Sequence, residues 1–209
     1  MSVDAYRVPA RAATAETEVT RSRFLATVER VDDEDAARDV VARLRRTHPD
    51  AGHHCSAWVL GPDGSLERSH DDGEPAGTAG APILEVVRGS GLCDVVVVVT
   101  RWFGGTLLGA GGLVRAYGDA ARAGLDAAGS RRRLLLSELT LDLDHADAGR
   151  VESALRDAGV AVLDMAWADT VTLRLGVRPD EVADLDARLA ALTGGSASAV
   201  ASGERWVDA

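Results

Sequence analysis

The chain has 209 residues, of which 46% are hydrophobic and 27% charged, and its net charge is −10. That is enough apolar material for one large or two small domains with real cores, and too much negative charge for non-specific coating of nucleic acid. No apolar run reaches the roughly 18 residues of a membrane span, and the first residues lack the apolar core of a secretory signal. Every one of the 23 basic residues is arginine, so each cation is a planar, permanently charged fork. Aromatic residues are only 4%, so Val, Leu and Ala must build the core. Cys55 and Cys93 lie in segments that read as strands, which implies reduced thiols and a cytoplasmic protein with no membrane contact.

Two domains read out of the pattern, residues 1–130 and 134–209, in an α+β fold. "TEVTRSRFLATVERV" predicts one or two strands, with Phe24, Ala26 and Val28 alternating against Leu25, Thr27 and Glu29. "DDEDAARDVVARLRRTHP" predicts a helix with Asp33, Glu34 and Asp35 in its first turn and Arg43, Arg45 and Arg46 in its last, which suits the macrodipole. Its apolar face is Ala37, Val40, Val41 and Leu44, and Pro49 ends it. "HHCSAWVL" is a strand, "GPDG" a turn and "SLERSH" the partner strand. "APILEVVRGSG" is a short helix with Pro82 in its first turn and Gly89 at its stop. "DVVVVVT" is a strand buried on both faces, and "GGTLLGAGG" is a loop. "LVRAYGDAARAGLDAAG" is a helix with Leu113, Val114, Tyr117, Ala121 and Leu125 inward, and "SRRR" at 130–133 is the linker. Residues 134–209 then read strand, helix, strand, strand, helix, strand, the pattern of a ferredoxin-like βαββαβ sandwich. That second domain holds 6 Arg against 14 acidic residues, a net of −8, so most of the acidity lies away from the middle of the chain.

Chemistry concentrates between residues 73 and 112, which hold 10 of the 22 glycines. Gly73, Gly77 and Gly80 precede one helix; Gly104, Gly105, Gly109, Gly111 and Gly112 precede another. A glycine-rich loop that opens a helix offers unpaired N–H groups at the positive end of the macrodipole, a ready anion site, although such glycines serve tight turns and close packing equally well. Gly104 and Gly109 have the spacing of a nucleotide-hydrolase phosphate loop, but Ala110 stands where its lysine must be, so that reading is rejected. Arg101 and Arg115 flank the second loop as candidate phosphate clamps or as plain surface cations, with Asp119 one turn beyond Arg115. Trp102 and Phe103 are candidate stacking surfaces, unless one of them belongs to the core. Asp71, Asp72 and Glu74 admit Mg²⁺ or acid–base chemistry, but such residues more often brace turns and helix starts, and we read them as holding "GTAG", with Gly77 and Thr78, in a fixed shape. His53 and His54 point to opposite faces of a strand, and no HxH, HExxH or CxxC spacing occurs, so neither a metal nor another cofactor is expected. No nucleophile–base pair is evident, so no catalytic residue is assigned.

The stretches "HHCSAWVLG", "DDGEPAGTAGAPILEV" and "VVVVVTRWFGGTLLGAGGLVRAY" resemble the hallmark segments of the YigZ/IMPACT family, over Gly52 to about Tyr117. The resemblance implies a first domain of the ribosomal-protein and elongation-factor-G-domain-IV type, followed by a ferredoxin-like domain similar to domain V of that factor. It implies an association with RNA or the ribosome and with translation, and no settled activity. The eukaryotic relatives restrain a translation-control kinase through a further N-terminal domain that this sequence does not contain, so that role is not carried over. The family commonly has Ser at the place of Ala76, a basic residue at Ala81, Tyr at Trp102 and Lys at Leu107; losing two cations beside the loops weakens an RNA surface.

Three readings follow. The first is a non-enzymatic factor that contacts RNA or the ribosome through the two glycine loops, Arg101 and Arg115. The second is an enzyme or sensor of a small anionic or phosphorylated ligand, using Asp71, Asp72 or Glu74. The third is a protein-binding translational regulator acting through the acidic C-terminal domain. Oligomeric state is not legible.

Overall fold

A computed structural model describes residues 3–209. The chain is an α+β protein that divides into two compact units, Ala5–Arg132 and Arg133–Ala209, with Val3 and Asp4 grouped with the latter.

The first unit is built on strands β1 (Ala5–Pro9), β2 (Ala13–Val19), β3 (Ser22–Arg30), β4 (His53–Leu60), β5 (Leu66–His70) and β6 (Val95–Trp102), with helices α1 (Glu34–Thr47), α2 (Gly80–Ser90) and α3 (Gly109–Ala128). Five of the strands form an antiparallel sheet in the order β2-β3-β6-β4-β5. β6 is its centre, and Val95 to Val99 are all 0% exposed, which is why that run carries no polar alternation. Successive side chains leave opposite faces. Val97 and Val99 therefore join Phe24, Ala26, Cys55 and Ala57 under α2 and α3. Val96 and Val98 join Trp58 and Leu60 under Ala37, Val40, Val41 and Leu44 of α1. α3 lies so close on β3 that a Cβ on Gly124 would sit 2.9 Å from that of Ala26.

β1 has no sequence signal of its own. It is held by the Tyr6 hydroxyl, which donates to buried Asp94 at 2.5 Å, and by the Cys93 amide, which donates to the Arg7 carbonyl at 2.8 Å. Other differences from the expected pattern are local. Asp33 is the N-cap of α1, its carboxylate accepting from the Ala36 amide, rather than a first-turn residue. α2 runs past Gly89 and ends at Gly91, which takes the left-handed φ of 67°. α3 starts at Gly109, inside the segment expected to be loop. Val114, expected inward, is 41% exposed, because the buried stripe of α3 runs through Leu113, Ala116, Tyr117, Ala120, Ala121 and Leu125. Cys93 lies just ahead of β6 rather than in it.

The second unit comprises the greater part of β7 (Ser130–Leu143), then α4 (His145–Asp157), β8 (Ala161–Trp167), β9 (Val171–Val177), α5 (Val182–Thr193) and β10 (Val200–Asp208). Ser130–Arg133, expected as a linker, is the opening of β7. The pairings of β7 with β10 and with β9, and of β8 with β9, are antiparallel, which gives the order β10-β7-β9-β8. That is the strand order of a ferredoxin-like sandwich, and Leu141, Leu173 and Leu175 pack with Val151, Leu155 and Leu189 of its two helices.

Candidate functional site

The loop between β5 and α2 is organised by its own carboxylates. Asp72 and Gly73 turn the chain with φ of 45° and 87°, and Gly77 turns it again at 74°. Asp71 then accepts the Gly77 amide on Oδ2 at 2.8 Å, and those of Ala79 and Gly80 on Oδ1 at 3.1 and 2.8 Å. α2 has no side-chain cap at Ala79, so Asp71 supplies one from outside the helix. Burial works against the Asp71 charge, but the three amides outweigh it and hold the carboxyl below its ordinary range. Asp72 accepts the His54 amide at 2.6 Å and pairs with Arg45 of α1, while its carbonyl meets His53 Nδ1 at 2.8 Å. Glu74 turns inward: its Oε1 accepts from Arg101 at 2.5 Å and from the Tyr117 hydroxyl at 2.7 Å. The Cys55 thiol, on β4, donates to the Asp71 carbonyl. His53 and His54 leave β4 on opposite faces, with His53 half-buried 3.8 Å from Glu74 and His54 buried on the α1 side. Burial lowers the His54 pKa, with Asp72 opposing.

These bonds correct several expectations. Arg101 cannot serve as an outward phosphate clamp: it is 5% exposed, ion-paired to Glu74 and stacked near Phe24 and Phe103. Trp102 is not a free stacking surface either. Its indole N–H donates to Asp50 at 2.8 Å, and the Arg23 guanidinium sits 3.8 Å from its ring centroid. Thr78 is buried, its hydroxyl donating to the Pro75 carbonyl at 2.6 Å. The amides of Gly77 and Gly80 are spent on Asp71, so the first glycine loop has no free anion cradle. All three carboxylates have internal partners, and among the described residues no group of His, Cys, Asp and Glu is placed to hold a metal ion.

The second loop is different. Gly104 is a packing glycine: a Cβ there would lie 2.1 Å from the carbonyl of Arg21, in the turn between β2 and β3. Beyond it the chain opens to solvent. Phe103 is 55% and Leu107 87% exposed. Gly105, Gly109 and Gly111 have open space where a Cβ would point, and Gly112 touches only the Leu108 side chain. α3 begins there with no side-chain cap and no acidic residue in its first turn. Arg115, on the exposed face one turn in, makes no hydrogen bond or ion pair within the described residues, and none joins it to Asp119.

Two residues of the buried network escape a sequence reading. Tyr117 was expected only as an inward residue, yet its hydroxyl receives the Cys55 thiol at 3.3 Å and donates to Glu74. A buried tyrosine needs a partner for its hydroxyl, and that need was the available signal. Burial pushes the Cys55 thiol up to about 12 and raises Tyr117 as well, so neither is a nucleophile or base near neutrality.

The site lies inside a recognisable domain. Residues 20–125 match the Impact N-terminal domain, and residues 141–196 match the domain of unknown function DUF1949. The chain is 38% identical over 196 residues to the IMPACT family member YigZ of Escherichia coli, covering 93% of this chain and 96% of that protein. It is 36% identical over 177 residues to the IMPACT family member YvyE of Bacillus subtilis, covering 85% and 82%. A solved crystal structure of a hypothetical protein superposes with a TM-score of 0.67 at 36% identity, covering 96% of this chain and 98% of that one. On this near full-length similarity, with the glycine-rich loops inside the matched first domain, the chain belongs to the IMPACT family.

Proposed function

We propose that the protein is a non-enzymatic, translation-related cytoplasmic factor that docks on structured RNA, the ribosome included, through the segment Phe103–Arg115. The observation that carries this reading is the start of α3. Its first-turn amides have neither cap nor acidic neighbour, glycines leave their approach open, and an exposed Phe103 stands beside them. Free helix-start N–H groups favour a phosphate, an exposed aromatic ring favours an unstacked base, and Arg115 adds a bidentate fork. The engaged carboxylates argue against the reading as an enzyme or sensor built on Asp71, Asp72 or Glu74. With so few cations, the surface suits one or two phosphate contacts rather than a long track.

The test is fluorescence anisotropy with labelled single-stranded RNA, double-stranded RNA and tRNA across a salt series. Each phosphate contact should contribute about −0.7 to −0.9 to the log–log salt slope. We expect micromolar binding with a slope of one to two contacts, reduced by Arg115→Ala and Phe103→Ala. No binding at about 50 mM salt would refute the reading, since electrostatic binding is strongest at low salt. The alternative of a protein partner on the acidic second unit is favoured by one feature, the 62% exposure of Trp167. Capture of a protein that is lost in Trp167→Ala, with no RNA binding, would select it.

A further inference from the structure

The solvent side of α3 carries a second feature, beyond its N-terminal turn. Between α2 and α3 runs a surface groove with a cavity of about 450 Å³. Val86 of α2 and Val114, Gly118 and Leu125 of α3 are among the residues lining it, with Glu85 of α2. A Cβ on Gly89 would meet nothing, so the groove is open on the α2 side. Val114 is 41% exposed, an apolar side chain standing at the groove with no cover. Beside this seam α3 presents a charged stripe that also lines the groove: Arg115, Asp119, Arg122 and Asp126. Their spacing puts them on one face of the helix. All four are exposed. Neighbours three and four apart on a helix are close enough to pair, yet none of the four makes a hydrogen bond or ion pair among the described residues.

The order of these charges matches a copy of itself. The intervals along the stripe are four, three and four residues, symmetric about the midpoint between Ala120 and Ala121, and the signs invert across that midpoint. Two α3 helices laid antiparallel about a two-fold axis there bring Arg115 of one copy level with Asp126 of the second copy, and Asp119 level with Arg122 of the second copy. Every cation then meets an anion. A parallel alignment would set each charge against its like. In the antiparallel register Val114 stands level with Ala127 of the second copy, about 3 Å along the axis from Leu125 in the apolar wall of that groove. We infer that the protein pairs with a second copy of itself, α3 of each lying antiparallel in the α2–α3 groove of the other. Exposed ion pairs add little attraction, so the apolar seam holds the copies together and the stripe sets direction and register. The matched stretch is only about 17 Å long at 1.5 Å per residue, which suits a weak dimer with a dissociation constant of about 10–100 μM. Arg115 is shared with the proposed RNA surface, so the test leaves it untouched.

Sedimentation equilibrium of the full chain reads the assembly, from about 5 to about 500 μM at low salt. The wild type should pass from monomer to dimer over that range. Asp119→Arg sets arginine against arginine at both symmetry-related contacts, and Arg122→Asp sets aspartate against aspartate. Each should weaken the dimer at least about tenfold. The double variant, Asp119→Arg with Arg122→Asp, restores opposite charges and should recover the wild-type constant within about threefold. An equimolar mixture of the two single variants should form a heterodimer, because the arginines of one copy then face the aspartates of the other. Both positions are exposed, so unchanged circular dichroism is expected of every variant. A wild type that stays monomeric at about 500 μM overturns the inference. So does a dimer that neither single variant weakens, or a failure of both the double variant and the mixture to restore it. RNA binding by anisotropy rests on Phe103 and Arg115 and is read separately, so either result can fail while the other stands.

Discussion

Replacing Asp71 by alanine removes one carboxylate and strands three amides. The Gly77 amide belongs to an exposed residue and recovers a partner from water. Ala79 is 0% exposed and Gly80 is buried, so their N–H groups have no replacement acceptor. A buried donor left unsatisfied costs about 1–3 kcal/mol. Two of them, which together are the N-terminal cap that Asp71 gives α2, place Asp71→Ala at about 2–5 kcal/mol. That is a large share of a total stability of about 5–15 kcal/mol. Asp71→Asn retains one oxygen for Ala79 and Gly80 and turns an N–H₂ toward Gly77, so it should cost about 1–2 kcal/mol. Because the folded carboxyl titrates below its ordinary value, its contribution is fully present above the unfolded value of about 3.9 and is lost as pH falls through the lower folded value. Urea unfolding reads this directly, followed by Trp58 and Trp102 fluorescence in a Trp167→Phe, Trp206→Phe background so that only the first unit reports. The gap between wild type and Asp71→Ala should be widest at pH 7 and narrow below about pH 4. A gap under about 1 kcal/mol at pH 7, or one indifferent to acid, would refute the account of the loop.

Glu74→Ala leaves the Arg101 guanidinium buried without its counter-charge and should cost about 3–5 kcal/mol; the Glu74→Ala, Arg101→Ala pair should cost less than the sum of its parts in a double-mutant cycle. Gly104→Ala must push the turn at Arg21 aside, and a loss of about 3 kcal/mol or a failure to fold is expected. Gly105→Ala has open space and suffers only its positive φ of 86°, a loss of about 1–2 kcal/mol by thermal unfolding. Cys55, with its pKa pushed up to about 12, should resist iodoacetamide at pH 8 in the native protein and react only after unfolding, as read by peptide mass shifts; Cys93 is only half-buried and should react first.

Much of the fold follows from local chemistry. The uniform run Val95–Val99, short and β-branched throughout, reads as a strand buried on both faces. The Ala37, Val40, Val41 and Leu44 spacing can only be one face of a helix. The βαββαβ order of the second unit emerges from alternating periods of 2 and 3.6. Residues missed or misplaced were those whose role depends on a distant partner. β1 has too few apolar residues to signal a strand, and it is anchored by Asp94, 88 positions from Tyr6. The glycines of the second loop carried the helix start because an uncapped first turn has no composition signal of its own.

For the candidate site the division is sharper. Composition and spacing alone argued against a phosphate loop, because Ala110 stands where its lysine must be, and they favoured a bracing role for the acidic loop while leaving acid–base chemistry on Asp71, Asp72 and Glu74 open; the three amides on Asp71 appear only in the folded loop. Which arginine faces solvent was decided by tertiary structure alone. Arg101 and Arg115 look alike on either side of the glycines. A buried glutamate 27 positions upstream claims the first, and nothing in the described fold claims the second. A charged side chain is drawn inward only where a counter-charge and hydrogen bonds offset its lost hydration, and that pairing exists only once β6, α3 and the loop at Glu74 have come together.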